Sequence, residues 1–281
     1  MPRLDPIELK SILEETDARW KASEGEMEYT LGYNPGPTED SLAAREFVAH
    51  ANYQHFVAMA AAARRPYPAA FDWRKVSGED YITPIRDQKG CGSCVAFGSV
   101  ATVEALVRIQ KKDPKLDIDL SEADLFFCHE GVDGGTCDTG WYVDAALSAL
   151  TSGIVDEKCF PYADQDQPCK RCQDWESRLT KISRFHKITA IGAMKTWLAK
   201  NGPLVTCFNV YADFFSYHSG VYHHVSGALQ GGHCVCCIGY NDRKRYWICK
   251  NSWGPAWGNH GFFQIAYGQV GIDATMWAVE L

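Results

Sequence analysis

Apolar residues in the first part of the chain recur at helical spacing. In Ile7-Glu8-Leu9-Lys10-Ser11-Ile12-Leu13-Glu14-Glu15, the side chains of Leu9, Ile12 and Leu13 fall near one face, with Trp20 farther along it, and predict a helix. Tyr33-Asn34-Pro35-Gly36-Pro37 breaks that pattern, and Thr38 followed by Glu39 and Asp40 has the form of a new helix start. The alanine-rich sequence that follows predicts a second helix reaching Arg64-Arg65, where Pro66 and Pro68 stop it. Beyond Pro84, Ala96, Val100, Val103 and Val107 predict a helix over 94–110, and another is expected over 141–151. After Pro203 the character changes. Runs of β-branched and aromatic residues at 204–210, 234–240, 246–250 and 262–267 predict strands. A helical first half and a β-rich second half point to two lobes sharing a cleft.

Composition narrows the class of protein. With 28 basic and 35 acidic residues the net charge is −7, which argues against nucleic-acid binding, because that needs clustered Lys and Arg. Hydrophobic residues make up 46% and charged residues 22%, the balance of a globular protein. The best candidate for a bilayer span, 225–241, carries Gln230 and His233, so no membrane segment is expected. Asp5, Glu8, Glu14, Glu15 and Asp17 stand where a secretory signal would need a basic start and an apolar run. The expectation is an intracellular chain, or one whose leader was removed before this numbering begins.

All twelve cysteines lie beyond residue 66. The chain is therefore read as a helical extension, 1–66, followed by a main domain, 67–281. The pairs Cys91/Cys94 and Cys169/Cys172 raise the question of zinc. A four-cysteine site would have to bridge the 74 residues between Cys94 and Cys169, far more than a finger or ribbon spans. The thioredoxin reading of Cys91-Gly92-Ser93-Cys94 lacks a preceding βαβ pattern. No metal is expected.

Gln88-Lys89-Gly90-Cys91-Gly92-Ser93-Cys94-Val95-Ala96-Phe97 carries the most chemical information. Cys94 falls where a helix begins, and the positive end of the helix dipole is expected to lower its pKa and favour the thiolate. A disulfide or a buried structural role is the ordinary alternative in a cysteine-rich chain. A base placed to serve the thiol shifts the balance. His233 precedes one strand, Asn251 follows the next, and both are centred on residue 242 in the turn between. A regular hairpin would set them side by side, with the Asn amide oxygen fixing the imidazole tautomer. Cys94, His233 and Asn251 then form a nucleophile, a base and its orienter.

These residues resemble the papain family of cysteine peptidases. Cys91-Gly92-Ser93-Cys94 matches the block around the family's nucleophile, and Asn251-Ser252-Trp253-Gly254 through Gly261 resembles the block after its active-site Asn. Leu120-Ser121-Glu122-Ala123-Asp124-Leu125 and Cys137-Asp138-Thr139-Gly140-Trp141 resemble two more blocks, so the similarity runs from about Pro68 to the C-terminus. The resemblance implies an α+β papain-like fold of two lobes with the active-site cleft between them. It also implies a thiol endopeptidase acting through a thioester, with Cys94 as nucleophile, His233 as base, Asn251 as orienter shielded by Trp253, and Gln88 as oxyanion-hole donor. Gly140, Trp141, Gly232 and Trp253 would line the substrate, with Gly140 making a strand-like contact. Trp141 and Tyr142 would give an apolar pocket for the second residue before the scissile bond. Val95 stands where the family usually has Trp, and altered packing is expected there.

The resemblance further implies disulfides Cys91–Cys137 and Cys128–Cys169. Cys159–Cys172 is inferred as a third from the cysteines left nearby. Cys207, Cys234, Cys236, Cys237 and Cys249 are read as buried small hydrophobes. Disulfides favour an oxidising compartment, in tension with the acidic N-terminus. The expected partners are peptide or protein substrates and the chain's own residues 1–66, a built-in inhibitor removed near Arg64-Arg65-Pro66-Tyr67-Pro68. The chain is expected to be a monomer, and no cofactor is implied. A peptide ligase or cyclase would use the same four residues, and a catalytically silent binding module would need none of them.

Overall fold

The computed structural model describes residues 5–23, 29–35, 41–60, 66–129 and 135–281. The helix start expected at Thr38-Glu39-Asp40 and the Arg64-Arg65 pair lie outside them. The first helix, α1 (Pro6–Glu15), begins where Asp5 Oδ1 accepts the N–H of Ile7 at 2.8 Å, with Pro6 in the first turn where no donor is needed. Leu9 and Leu13 bury its inner face. Trp20 is not on that face. The helix stops at Glu15, Asp17 takes a φ of 50°, and Trp20 opens a short strand, β1 (Trp20–Ala22). Next comes α2 (Leu42–Ala60), and β2 (Ala70–Asp72) leads into the main domain.

The helical lobe is built on α3 (Cys94–Lys111), flanked by α4 (Glu122–Phe127) and α5 (Val143–Ser152). Its core joins Val100, Val103 and Leu106 of α3 to Leu125 and Phe126 of α4 and Ala146, Leu147 and Leu150 of α5. Ser121 caps α4, its Oγ accepting the N–H of Asp124 at 2.8 Å. Disulfides Cys91–Cys137, Cys128–Cys169 and Cys159–Cys172 staple the loops of this lobe, so Cys169 and Cys172 go to different bridges and Cys91 is bridged while Cys94 stays free. Cys128 and Cys169 also lie within metal-ligand reach of Asp124, but their sulfurs are joined to each other and the carboxylate is paired with Arg171.

The second lobe contains β3 (Arg184–Ile188), α6 (Ile191–Lys200), β4 (Leu204–Tyr211), β5 (Tyr217–Tyr222), β6 (Leu229–Asn241), β7 (Tyr246–Lys250), β8 (Phe262–Ala266) and β9 (Met276–Glu280). Among the described residues the strands are ordered β1-β5-β8-β7-β6-β4-β9-β3, with β2 against β6. Residues 232–240 are all buried, because one face of β6 packs on α3 and the other on the lobe's own core. Small residues make that contact close. A Cβ on Gly98 of α3 would come within 3.2 Å of Cys234 Sγ and of the Val235 backbone. Cys207, Cys234, Cys236, Cys237 and Cys249 are buried and unbridged. Among the described residues no helix is long and apolar enough to cross a membrane.

Candidate active site

Cys94 is the first residue of the eighteen-residue helix α3. It is fully buried, and the lowered pKa expected from the helix start is not what its surroundings favour. Burial pushes its pKa up to about 12, against the backbone N–H groups of Cys234, Gly32 and Val95, which favour the thiolate. Desolvation wins because those main-chain donors make up only part of the hydration that an anion would lose. The N–H of Cys234 places the sulfur against β6, one residue from His233.

His233 Nε2 lies 2.7 Å from Asn251 Oδ1, which also accepts the N–H of Ser252 at 2.9 Å. That oxygen can only accept, so the imidazole carries its proton on Nε2. Nδ1 is left as a buried atom with no hydrogen-bond partner among the described residues. Burial lowers the His233 pKa to about 4, although the bond to Asn251 works the other way. The pair is not the direct cross-strand pair that symmetry about residue 242 suggests. The loop is centred between Arg243 and Lys244, and an irregularity between Cys237 and Gly239 slips the ladder so that Cys236 faces Lys250. Asn251 therefore meets His233 diagonally, just past the end of β7. Trp253 stacks on His233 at 4.5 Å and 28° and is 3% exposed, so it screens the hydrogen bond from water.

Gln88 is oriented by a residue the sequence reading passed over. Ser252 Oγ donates to Gln88 Oε1 at 2.7 Å, and the Gln88 N–H donates to the Ser252 carbonyl at 2.9 Å. The amide nitrogen consequently turns toward the cleft, where it donates to the carbonyls of Cys91 at 3.0 Å and Thr30 at 3.1 Å.

Thr30 belongs to the N-terminal extension, and it is one of a run of residues lying in the cleft. Tyr29 stacks on Trp253 at 4.4 Å and 12°. The Trp141 N–H donates to the Gly32 carbonyl at 2.7 Å, the Tyr33 N–H to the Gly232 carbonyl at 3.1 Å, and the Asn34 N–H to the Trp141 carbonyl at 2.9 Å. Trp141, not Gly140, makes the two main-chain bonds on its wall of the cleft. Gly140, at a φ of +69°, supplies room: a Cβ there would run into the Gly32 carbonyl. Gly232 does the same on the opposite wall, where a Cβ would come within 2.5 Å of the Tyr33 carbonyl. Gly32 itself sits against Gly92, and any side chain on it would overlap that residue's carbonyl.

The extension is anchored away from the cleft. β1 pairs with β5, and the Trp20 indole donates to the His223 carbonyl at 3.0 Å beside Tyr217 and Tyr222. From α2, Glu46 accepts from Asn209 Nδ2 at 2.5 Å and from the Tyr211 hydroxyl at 2.8 Å, while Asn52 reaches the Asp273 and Ala274 carbonyls at 3.1 Å each.

A cysteine at a helix start, an imidazole held by an asparagine across two strands, and a glutamine amide beside them meet between the two lobes. The sequence model of the papain family of cysteine proteases matches residues 67–279. The cathepsin B-like CP3 of Giardia intestinalis is 37% identical over 216 residues, covering 70% of this chain and 69% of its own. The chain belongs to the papain family and is a cysteine peptidase. Two solved structures share the fold. The digestive procathepsin L2 proteinase of the Tenebrio molitor larval midgut has a TM-score of 0.75 at 24% identity, covering 97% of this chain and 88% of that one. A Carica candamarcensis cysteine protease in complex with E-64 has a TM-score of 0.64 at 27% identity, covering 76% of this chain and 98% of that one.

Proposed function

We propose that the chain is the precursor of a thiol endopeptidase, with residues 1–66 as a covering pro-segment and 67–281 as the peptidase domain. Cys94 is the nucleophile, His233 the base, Asn251 its orienter and Gln88 a donor of the oxyanion hole. In the uncovered enzyme the thiol proton passes to His233 Nδ1, and Sγ attacks the peptide carbonyl carbon. The carbonyl oxygen gathers charge between Gln88 Nε2 and the Cys94 N–H, a preorganised pair whose removal by one donor costs roughly 3–4 kcal/mol in comparable enzymes. His233 returns the proton to the departing amine, and water hydrolyses the thioester with His233 as base.

The observation that carries this reading is the Gln88 amide: the donor needed for an oxyanion is taken by the Thr30 carbonyl of the same chain. The extension occupies the site without offering it a working nucleophile, since burial favours a neutral thiol and a neutral imidazole together. The 97% coverage of this chain by a procathepsin fold, against 76% by the E-64 complex, supports assigning the difference to a pro-segment. Three disulfides support an oxidising compartment and a stapled domain.

The test is intact-mass analysis of the full-length chain with an epoxide peptide probe, before and after incubation at mildly acidic pH, with Cys94→Ala alongside. Labelling of Cys94 only after loss of the N-terminal segment is the expected result. Rapid labelling of the uncut chain removes the covering role, and no labelling of a folded, processed chain removes the nucleophile.

A further inference from the structure

Two of the free cysteines, Cys207 and Cys234, share a buried face with Cys94. All three lie in the core of the helical lobe, whereas the chain neighbours Phe208 and Val235 turn into the core of the β-rich lobe. The strands β4 and β6 set Cys207 and Cys234 directly opposite one another. Residues so placed in an antiparallel pair have Cα atoms about 4.5–5.5 Å apart, inside the roughly 4.4–6.8 Å that a disulfide spans. Their two sulfurs are in hydrogen-bond contact.

Cys234 also touches the nucleophile. Its N–H donates to Cys94 Sγ, and its own sulfur packs on Gly98, one turn along α3 from Cys94 and on the same face. An alanine pair would fill this wall with small apolar groups as well; the thiols add two electrons within reach of Cys94. In the covered chain the wall is sealed. Arg45 of α2 donates from Nη2 to the Cys207 carbonyl at 3.0 Å and from Nη1 to the Tyr33 hydroxyl at 3.2 Å, with its guanidinium 5.7 Å from the centroid of the Trp277 ring. Arg45 and Tyr33 both belong to the extension. Cys237 and Cys249 form a second directly opposed pair, but they lie on the other face of β6, in the core of the β-rich lobe.

We propose that Cys207 and Cys234 are a redox pair that restores Cys94 after its oxidation by a hydroperoxide. The proposal rests on Cys94 as the nucleophile and on residues 1–66 as its cover. In the uncovered enzyme the Cys94 thiolate attacks one oxygen of hydrogen peroxide, the O–O bond breaks, and the leaving hydroxide takes the His233 proton as water. Cys94 is then a sulfenic acid. Cys234 Sγ attacks the oxidised sulfur, the S–O bond breaks, and the hydroxide leaves with the Cys234 proton as a second water. Cys207 Sγ next attacks Cys234 Sγ and expels Cys94 as thiolate, while the Cys207 proton passes to His233 Nδ1. A thiolate stabilised by the His233 imidazolium is the better leaving group, so the bridge comes to rest between Cys207 and Cys234. In sum, two thiols lose two electrons, one peroxide becomes two waters, and the nucleophile is free again. A low-molecular-weight thiol reduces the bridge and resets the pair.

The test uses processed enzyme whose active concentration is fixed by epoxide titration of Cys94. A single equivalent of hydrogen peroxide is added without reductant and quenched with catalase, and peptidase activity is read relative to the untreated sample. The activity surviving in the wild-type enzyme is expected to exceed that in Cys234→Ala by about tenfold, with Cys207→Ala trapped as a Cys94–Cys234 bridge that dithiothreitol reopens. The wild-type chain itself supplies a reading that no substitution can disturb. Its intact mass should fall by two hydrogens, and chymotrypsin, which can cut at Phe214 and Tyr222, should leave Cys207 and Cys234 joined and Cys237 and Cys249 reduced. Equal loss of activity in wild type and Cys234→Ala, with oxygen added at Cys94 in both, overturns the redox pair alone. A wild-type bridge that stays on Cys94 overturns the passage to Cys207. Processed chain that takes no epoxide at Cys94 overturns the active-site assignment as well.

Discussion

Acid should lift the covering segment, and His233 should carry most of the effect. While covered, the imidazole is held at about 4 by burial, against an ordinary value of 6.5. Its folded-state pKa is depressed, so the stability it gives to the covered state is full above 6.5 and is lost as pH falls toward 4. If uncovering returns the ring to its ordinary value, moving from pH 7 to 4.5 costs the covered state roughly 2 kcal/mol, a shift of several tens-fold toward the open form. The assay is amide hydrogen exchange in full-length Cys94→Ala, which cannot process itself, read at the Tyr33 amide that bonds to Gly232 and corrected for intrinsic pH dependence. Protection at Tyr33 should fall by that factor, and a second substitution, His233→Gln, should abolish most of the fall. Equal loss in both chains, or no loss in either, would refute the assignment to His233.

Three further outcomes follow from the same contacts. Gly32→Val drives a side chain into the Gly92 carbonyl, so the uncut chain should take the epoxide probe at a rate approaching that of processed enzyme. Loss of both Cys159 and Cys172 as Ser opens a bridge of sequence separation 13, and urea unfolding should report a loss of roughly 3 kcal/mol. Asp273 is buried and raised to about 6 from 3.8, so its contribution to stability is present below 3.8 and lost as pH rises through 6. Asp273→Asn should therefore flatten the fall in melting temperature between pH 4 and 7, and an unchanged slope would count against that burial cost.

Much of the fold can be read from the sequence where the elements are long and regularly patterned. The strands expected at 204–210 and 246–250 lie within β4 and β7, and the helix over 94–110 is α3 but for one residue. Short elements carry too few periods to register: α4 has six residues and β1 three, and β3, on the sheet's edge, buries no residue fully. The His233–Asn251 meeting is legible only in outline, since a slip in the ladder near Ile238 leaves no mark in residue type. Ser252 and Gln88 are each ordinary polar residues until the chain reversal sets them 2.7 Å apart. Gly32 and Arg45 are harder still. One matters because it lacks a side chain beside Gly92, the other because its partners lie about 160 residues or more away, at Cys207 and Trp277.

The contacts of the extension separate into two kinds with different consequences. At the thiol they are local and mostly polar: one carbonyl on Gln88, three main-chain bonds to Trp141 and Gly232, a glycine, and Tyr29 stacked on Trp253. Away from it they are large and apolar, with Leu9, Leu13 and Trp20 inside the core of the β-rich lobe. Burying Trp20 is worth on the order of 3–5 kcal/mol by the cost of removing such a side chain, more than any single bond in the cleft. Affinity of the cover thus resides at a distance from the chemistry, while the cleft residues determine only what the bound segment does to the thiol. Trp20→Ala should accordingly speed probe labelling of the uncut chain while leaving the processed enzyme's kcat/KM unchanged, because the residue departs with the segment. A processed enzyme altered by Trp20→Ala would mean that β1 stays on β5 after cleavage and belongs to the mature fold.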